Sequence, residues 1–374
     1  MRAKIFSAGA VQILFFTLLI LCTGCAGSPD ASPDTFGTPL QLLYAEQFTL
    51  ERDTAGCVLV TIAGTDRFLL VPDGAETPDC PGATVLHTPL NHIYVAASSS
   101  MDFFSRLDAL DHVRFTATSL SGWSLKPVRD AMEHGDILYA GKYSSPDFEL
   151  LLSQSCTLAL ESTMIYHSPD IQEQLETLGI PVLTERSSYE PHPLGRMEWV
   201  KLYGLLTGRE SEANAFFTQQ AQQVEQILSQ EDTGKTIAFF SLSPNGYVNV
   251  RKPGDYVTKM MEMAGGHHVF SGLVPEEDNA LSSMRLQTEV FYAGAKDADI
   301  LIYNGTIDGG MNTLEQLLEK SELLADFRAV KNGNVWCTER NFFQEPTAVG
   351  AITADFRAIF TGETDSLTYF HRLS

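Results

Sequence analysis

The stretch that most restricts the fold is residues 194–230. Trp199, Leu202, Leu206, Ala213, Phe216, Phe217, Ala221, Val224 and Leu228 recur there at the period of an amphipathic helix. His192 and Pro193 stand where a helix is entered and Gly234 where one stops. Gly204 and Gly208 lie inside the run, each costing about 1 kcal/mol relative to Ala. At about 1.5 Å per residue a continuous helix of this length would measure about 50 Å, more than the width of a small domain. Strand and helix patterns alternate on both sides of it. The expectation is therefore an α/β protein of two Rossmann-like lobes with mainly parallel sheets, joined by one long rigid α-helix. The crevice between the lobes is then the natural ligand site.

The chain divides accordingly into a leader (1–24), a flexible tether (25–39), an N-terminal α/β lobe (40–193), the interlobe helix (194–231) and a C-terminal α/β lobe (232–374). Phe48–Arg52, Val58–Ile62 and residues 67–71 read as a small β meander with glycine-containing turns. Beyond it, short apolar runs at 93–96, 113–117, 158–160 and 181–183 alternate with helical segments at 103–110 and 169–178, which is βα winding. Ser145, Pro146 and Asp147 open a further helix that runs through Leu152. After residue 231 the alternation restarts, with strands at 236–241, 247–250, 300–303 and 335–337 and a closing helix over 348–360. Glu149 and Glu289 each begin a helical turn about ten residues ahead of an apolar strand, a weak internal echo. Acids in a first helical turn are also favoured by the helix dipole alone.

With 47 Asp and Glu against 25 Lys and Arg, the formal charge is −22. So acidic a body does not bind nucleic acid or anionic lipid by charge. The leader carries Arg2 and Lys4, then an apolar run from Val11 to Leu21 that is too short to span a membrane comfortably. It ends in Leu21-Cys22-Thr23-Gly24-Cys25, which resembles a bacterial lipobox and makes Cys25 the expected lipidation site, although Cys22 stands where an aliphatic residue is usual. Plain secretion or an uncleaved anchor are the alternatives. An exported chain can keep disulfides. Cys57 and Cys80 flank one predicted hairpin and are the expected pair, with Cys156 and Cys337 as buried thiols.

Catalytic and metal motifs are not found. Gly234-Lys235-Thr236 lacks the upstream glycine of a phosphate-binding loop, and neither G-x-S-x-G nor H-E-x-x-H occurs. His267-His268 fits packing against a helix end better than a metal pair. Ligands of doubly wound sheets sit outside the carboxyl ends of the strands. Trp123, Tyr166, His167, Tyr189, His192 and Arg196 are the candidate cleft residues on that reasoning, and Tyr247 and Arg251 form a matching aromatic and cationic cluster in the second lobe. Arg196 and Glu198 could instead merely hold the helix against the lobes.

Several motifs in order resemble the substrate-binding lipoproteins of ABC importers that carry iron-siderophores, haem and cobalamin. They are Gly141-Lys142-Tyr143, Pro146-Asp147-Phe148-Glu149, Tyr247-Val248-Asn249-Val250-Arg251, Ala264-Gly265-Gly266, Asp299-Ile300-Leu301-Ile302-Tyr303 and Lys331-Asn332-Gly333-Asn334-Val335-Trp336. The resemblance implies a monomeric, lipid-anchored extracytoplasmic protein with no cofactor of its own. It implies a metal chelate as ligand, with Tyr143 joining the candidate contacts, and an importer permease with its ATPase as partner. Glu149 and Glu289 would be the docking acids for the permease, one on each lobe. No set of residues converges on a bare-metal site in the sequence; a bare-metal binder, a sensor or adhesin, and an enzyme on the same fold are the other readings.

Overall fold

The computed structural model describes residues 36–275 and 282–374. Lipidation at Cys25 and the leader fall outside the described residues. The tether is shorter than expected: the Phe36 N–H already donates to Glu51 at 2.9 Å, and a strand starts at Thr38.

The predicted meander is a five-stranded sheet in the order β1-β2-β3-β4-β5 (Thr38–Leu40, Phe48–Arg52, Val58–Ile62, Asp66–Pro72, Thr84–Thr88). Its first four strands are antiparallel and β5 runs parallel to β4. Cys57 and Cys80 are not joined there. Both are free: the Cys57 thiol lies 3.7 Å from the Glu76 carbonyl, and Cys80 Sγ accepts from Arg67 at 3.5 Å. They share a small apolar cluster without a bond between them. Cys156 and Cys337 are also free; Cys337 is buried as expected, but Cys156 is only half-buried.

The N-terminal lobe follows as β6 (Ile93–Val95), α1 (Ser100–Arg106), β7 (Val113–Thr116), α2 (Lys126–His134), β8 (Leu138–Tyr139), the short hairpin β9–β10 (Gly141–Lys142, Ser145–Pro146), α3 (Phe148–Ser153), β11 (Ala159–Ser162), α4 (Pro169–Thr177) and β12 (Val182–Glu185). All neighbours in the sheet β12-β11-β6-β7-β8 are parallel. Ser145 and Pro146 belong to β10, so the cap of α3 is Asp147, whose carboxylate accepts the Leu150 N–H at 2.9 Å.

The interlobe segment is not one helix. It is α5 (Pro193–Glu198), α6 (Val200–Thr207) and α7 (Glu210–Leu228). Gly208 ends α6 with φ of 71°, a left-handed conformation open to glycine. The corner is tight: a Cβ on Gly204 would lie 2.6 Å from that of Ala213. The hydrophobic periodicity continues through the corner because both helices bury one face in the same core, so spacing alone could not reveal the turn.

The C-terminal lobe contains β13 (Lys235–Leu242), β14 (Tyr247–Arg251), α8 (Tyr256–Met263), β15 (Gly266–His268), β16 (Ser283–Gln287), α9 (Thr288–Ala295), β17 (Ile300–Tyr303), α10 (Leu314–Lys320), α11 (Arg328–Lys331), β18 (Val335–Thr338), α12 (Val349–Thr361) and β19 (Phe370–Arg372). Its sheet runs β16-β14-β13-β17-β18-β19, with β15 paired in parallel to β13. The parallel set β18-β17-β13-β15 repeats β12-β11-β6-β7 of the first lobe. In both lobes an exposed glutamate opens the helix preceding the second strand from the end of that set, Glu149 in α3 and Glu289 in α9.

The period-2 pattern of the inner strands divides the core. Ile237 and Phe239 of β13 point to a cluster shared with Trp199, Tyr203, Phe217 and Phe356, while Ala238 and Phe240 point to a separate cluster on the other face. The shared cluster also takes in Ile93, Val95 and Leu160 of the first lobe, so α5–α7 lie within a core that both lobes use. A second bridge lies beside it. Buried Asp102 of α1 accepts the Thr347 N–H at 3.0 Å and the Thr347 hydroxyl, Arg106 pairs with Glu345 at 3.2 Å, and the Gln344 amide joins the Ser124 N–H and the Gly122 carbonyl, each at 2.8 Å.

Candidate functional site

α5 is fixed from behind by the chain that enters the fold. Glu198, fully buried, accepts the backbone N–H groups of Leu43, Tyr44 and Ala45 at 2.8–3.0 Å and pairs with Lys201 at 2.6 Å. Glu190 accepts the N–H groups of Glu46 and Gln47 and the Trp199 indole N–H at 2.8–3.0 Å. Each carboxylate is thus satisfied by backbone donors, as a buried charge must be. His192 caps α5 through its Nδ1, which accepts the Leu194 N–H at 3.1 Å, and stacks on Tyr44 at 4.8 Å. Burial, and then the Lys259 charge, lower its pKa, which keeps the acceptor nitrogen free of a proton.

In front of α5 lies a pocket of about 1110 Å³. β13 provides Phe239, Phe240 and Ser241, β14 ends in Arg251, and Asn304, Thr306 and Ile307 follow the carboxyl end of β17, the side of the sheet where doubly wound folds bind ligands. Its rim is apolar and exposed, with Val274 88%, Ile307 65% and Val290 48% accessible. Among the described residues its lining contains four cationic side chains, Arg196, Arg251, Lys252 and Arg285, and no carboxylate.

The two arginines of the floor are held differently. Arg251, 8% exposed, donates to the Ser282 hydroxyl at 2.8 Å, lies 3.6 Å from the Asp255 carboxylate and has its guanidinium 4.6 Å from the Phe343 ring centre. Asp255 in turn caps α8 by accepting the Val257 N–H at 3.0 Å. Arg196, 5% exposed, lies over the Tyr256 ring at 4.3 Å, and its Nε has no hydrogen-bond partner. Arg196 closes no ion pair with any described carboxylate within 4 Å, whereas Glu198 has its full complement. Glu198 thus holds the helix against the entering chain, whereas among the described residues the Arg196 guanidinium meets only the Tyr256 ring.

Of the nominated ligand residues, Arg196 and Arg251 line this pocket and the others do not. Trp123 is buried with its indole N–H on the Thr118 carbonyl at 3.1 Å. Tyr189 lies under the Arg186 guanidinium at 4.5 Å, and His192 is a helix cap. Tyr143 sits in the β9–β10 turn, Tyr166 and His167 are exposed in the turn after β11, and Tyr247 is exposed at the start of β14. Phe343, Asn304 and the 283–287 strand were missed; they come from loops and an edge strand without a motif. Among the described residues no group of three or more His, Cys, Asp or Glu is placed to hold a metal ion. His267 pairs with Asp232 at 2.9 Å, and buried His268 is pushed down to about 4 by desolvation.

One acid stands apart. Glu161, at the carboxyl end of β11, is fully buried and neither of its carboxylate oxygens has a hydrogen-bond partner. Burial pushes its pKa up to about 8.

Comparison with known proteins agrees with the lobed fold. The chain is 23% identical over 287 residues to an uncharacterised lipoprotein of Methanocaldococcus jannaschii, covering 73% of this chain and 66% of the relative. A second lipoprotein of that organism is 25% identical over 353 residues, covering 88% and 86%. Similar solved structures include a periplasmic binding protein of Veillonella parvula (TM-score 0.61, 15% identity, 81% of this chain and 97% of that one). A periplasmic haem-binding protein of Vibrio cholerae (0.58, 16%, 71% and 98%) and the vitamin B12-binding protein of the same organism (0.52, 14%, 74% and 99%) share the fold. Residues 104–340 match the family described as periplasmic binding protein, and the chain belongs to that family.

Proposed function

We propose that this chain is the extracytoplasmic capture component of an ABC importer, anchored by a lipid on Cys25, that binds a metal chelate in the pocket before α5 and passes it to a permease. The observation that carries this reading is the charge of the pocket. On a chain with 47 acidic and 25 basic side chains, the described lining brings Arg196, Arg251 and Arg285 together with no carboxylate. Desolvated guanidiniums of this kind match an anionic group, and Arg can meet one bidentately. The apolar rim and the aromatic floor suit the organic part of a chelate, and a chelate brings its own metal donors. Haem- and B12-binding proteins with the same fold support the ligand class. The lipoprotein relatives support the anchor.

Mass spectrometry and absorbance of the protein purified from its own host test the reading. A metal-containing organic anion that leaves when Arg196 and Arg251 are both replaced by Gln supports it. A co-purified ligand without metal, or one retained by the double variant, refutes it.

A further inference from the structure

Among the described residues, Ser188 and Arg196 are the pocket lining that precedes residue 239, and the rest comes from the C-terminal lobe. The N-terminal lobe nevertheless reaches the site through one turn. Three consecutive residues between β18 and α12 go to three different places. Phe342, 3% exposed, enters the core, with its ring centre 5.4 Å from that of Phe370 and 6.0 Å from that of Phe239. Phe343 lines the pocket, where its ring centre lies 4.6 Å from the Arg251 guanidinium and its plane stands edge-on to Phe342 at 4.8 Å. Gln344 turns to the other lobe. Its Oε1 accepts the Ser124 N–H and its Nε2 donates to the Gly122 carbonyl, each at 2.8 Å.

Both partners of Gln344 are backbone groups of the loop between β7 and α2. Trp123 stands between them and fixes that loop: it is 3% exposed, and its indole N–H donates to the Thr118 carbonyl at 3.1 Å. Two bonds to a fixed backbone hold the Gln344 amide in one orientation and restrict the main chain of its neighbour Phe343. Phe343 is only half-buried, so packing confines its ring less than it confines that of Phe342. A ring that is free to swing must be ordered when a ligand binds, at a cost in entropy. The remaining lobe contacts, Asp102 with Thr347 and Arg106 with Glu345, do not use the Gln344 side chain, so the lobes stay joined without it.

We infer that Gln344 is a positioning residue for ligand capture: its two bonds to the N-terminal lobe hold Phe343 against Arg251 at the pocket. This rests on the chelate reading of that pocket. Gln344 itself touches no ligand. The linkage runs both ways. If the Gln344 contact strengthens binding by some factor, a bound ligand favours the contact by the same factor. An occupied pocket therefore fastens the 339–345 turn to the N-terminal lobe more firmly than an empty one.

Calorimetric titration with haemin and with a trianionic ferric tris-catecholate gives the affinities of the wild type, Gln344→Ala, Phe343→Leu and the double variant. Whichever probe binds should bind Gln344→Ala about three- to tenfold more weakly, the range of one or two net hydrogen bonds. The double variant should be no weaker than Phe343→Leu alone, because Gln344 acts through that ring. A second measurement needs no change at Gln344. Exchange of the Ser124 amide hydrogen should slow by a similar factor when the wild type is saturated with ligand, and should not respond to ligand in Phe343→Leu. A contact that only stabilises the fold would leave this amide indifferent to ligand. Unchanged affinity in Gln344→Ala, additive losses in the double variant, Ser124 exchange that ligand does not slow, or slowing that persists in Phe343→Leu each overturns the linkage and leaves the chelate reading intact. Failure of both probes to bind overturns the linkage together with the reading it rests on.

Discussion

The guanidinium of Arg196 lies 4.3 Å from the centre of the Tyr256 ring, so the interlobe connector and the first helix of the second αβ set meet at the pocket floor. The ring face orients the guanidinium without neutralising it. Arg196→Gln should therefore weaken an anionic ligand by about 1.5–3 kcal/mol through the lost charged hydrogen bond. Tyr256→Phe keeps the face and should leave affinity nearly unchanged, whereas Tyr256→Ala should cost about 0.5–2 kcal/mol. Calorimetry with the host-derived ligand gives the order, and equal affinity across all three variants would remove Arg196 from the site.

Glu161 makes a prediction about stability and pH. Its folded pKa is about 8 against the ordinary 4.5. Between those values the folded state holds a proton that the unfolded state has released. The contribution of Glu161 to stability is thus greatest below about pH 4.5 and falls as pH rises towards 8, by an amount on the order of 5 kcal/mol. Glu161→Gln has no proton to lose. It should match the wild type near pH 5 and exceed it in chemical denaturation at pH 8 to 9. A wild-type stability that does not decline over this interval relative to the variant would show that the carboxyl is solvated or partnered in solution.

The Asp102–Thr347 contact joins the lobes outside α5–α7. Burial pushes the Asp102 pKa up to about 6, against the pull of Thr347 and Arg106. Removing the hydroxyl donor leaves a buried carboxylate less satisfied, so Thr347→Val should lower stability by about 1–3 kcal/mol. The backbone N–H bond remains, so the fold should persist. Hydrogen exchange should rise first in α1 and in the 344–348 turn; unchanged exchange at both would show that the bridge contributes nothing to lobe contact.

Much of the scaffold was legible because it follows from local rules. β13 and β17 carry continuous apolar runs since both sheet faces are covered, and the left-handed stops at Gly135, Gly179 and Gly362 mark turns. The corner at Gly208 was not legible: a helix that turns while burying one face keeps its period. Of the candidate residues, the sequence placed only the two arginines at the pocket. Arg196 and Arg251 line the pocket, but Trp123, Tyr189 and His192 are engaged in local contacts with Thr118, Arg186 and Leu194. Composition cannot separate an aromatic ring that waits for a ligand from one that caps or packs. Phe343 reaches the pocket only through the fold of the C-terminal segment.

The proposed anchor rests on the leader sequence. The apolar run ending at Gly24-Cys25 predicts a lipid on Cys25. Cys25→Ser should abolish labelling by a fatty-acid analogue and release the protein from the membrane fraction. Retained labelling of the variant would place the lipid elsewhere or show another anchor.

The last prediction concerns delivery. Glu149 and Glu289 are both exposed, each in the first turn of a helix that precedes the corresponding strand of its lobe. Both acids are available on the surface, and neither lines the pocket. Two arginines of a permease, one for each lobe, could hold both lobes at once. Charge pairs at such a rim act mainly on association and register rather than on the affinity of the ligand. Glu149→Arg and Glu289→Arg should therefore bind the ligand as the wild type does, while uptake and ligand-stimulated ATPase activity in reconstituted vesicles collapse. Reversal should be worse than Glu→Gln, because like charges then face each other at the contact. The double reversal should add little, since one displaced lobe already prevents productive docking. Normal transport by both single reversals would rule out the pair, and a large loss of ligand affinity in either would move that acid from the docking surface to the binding site.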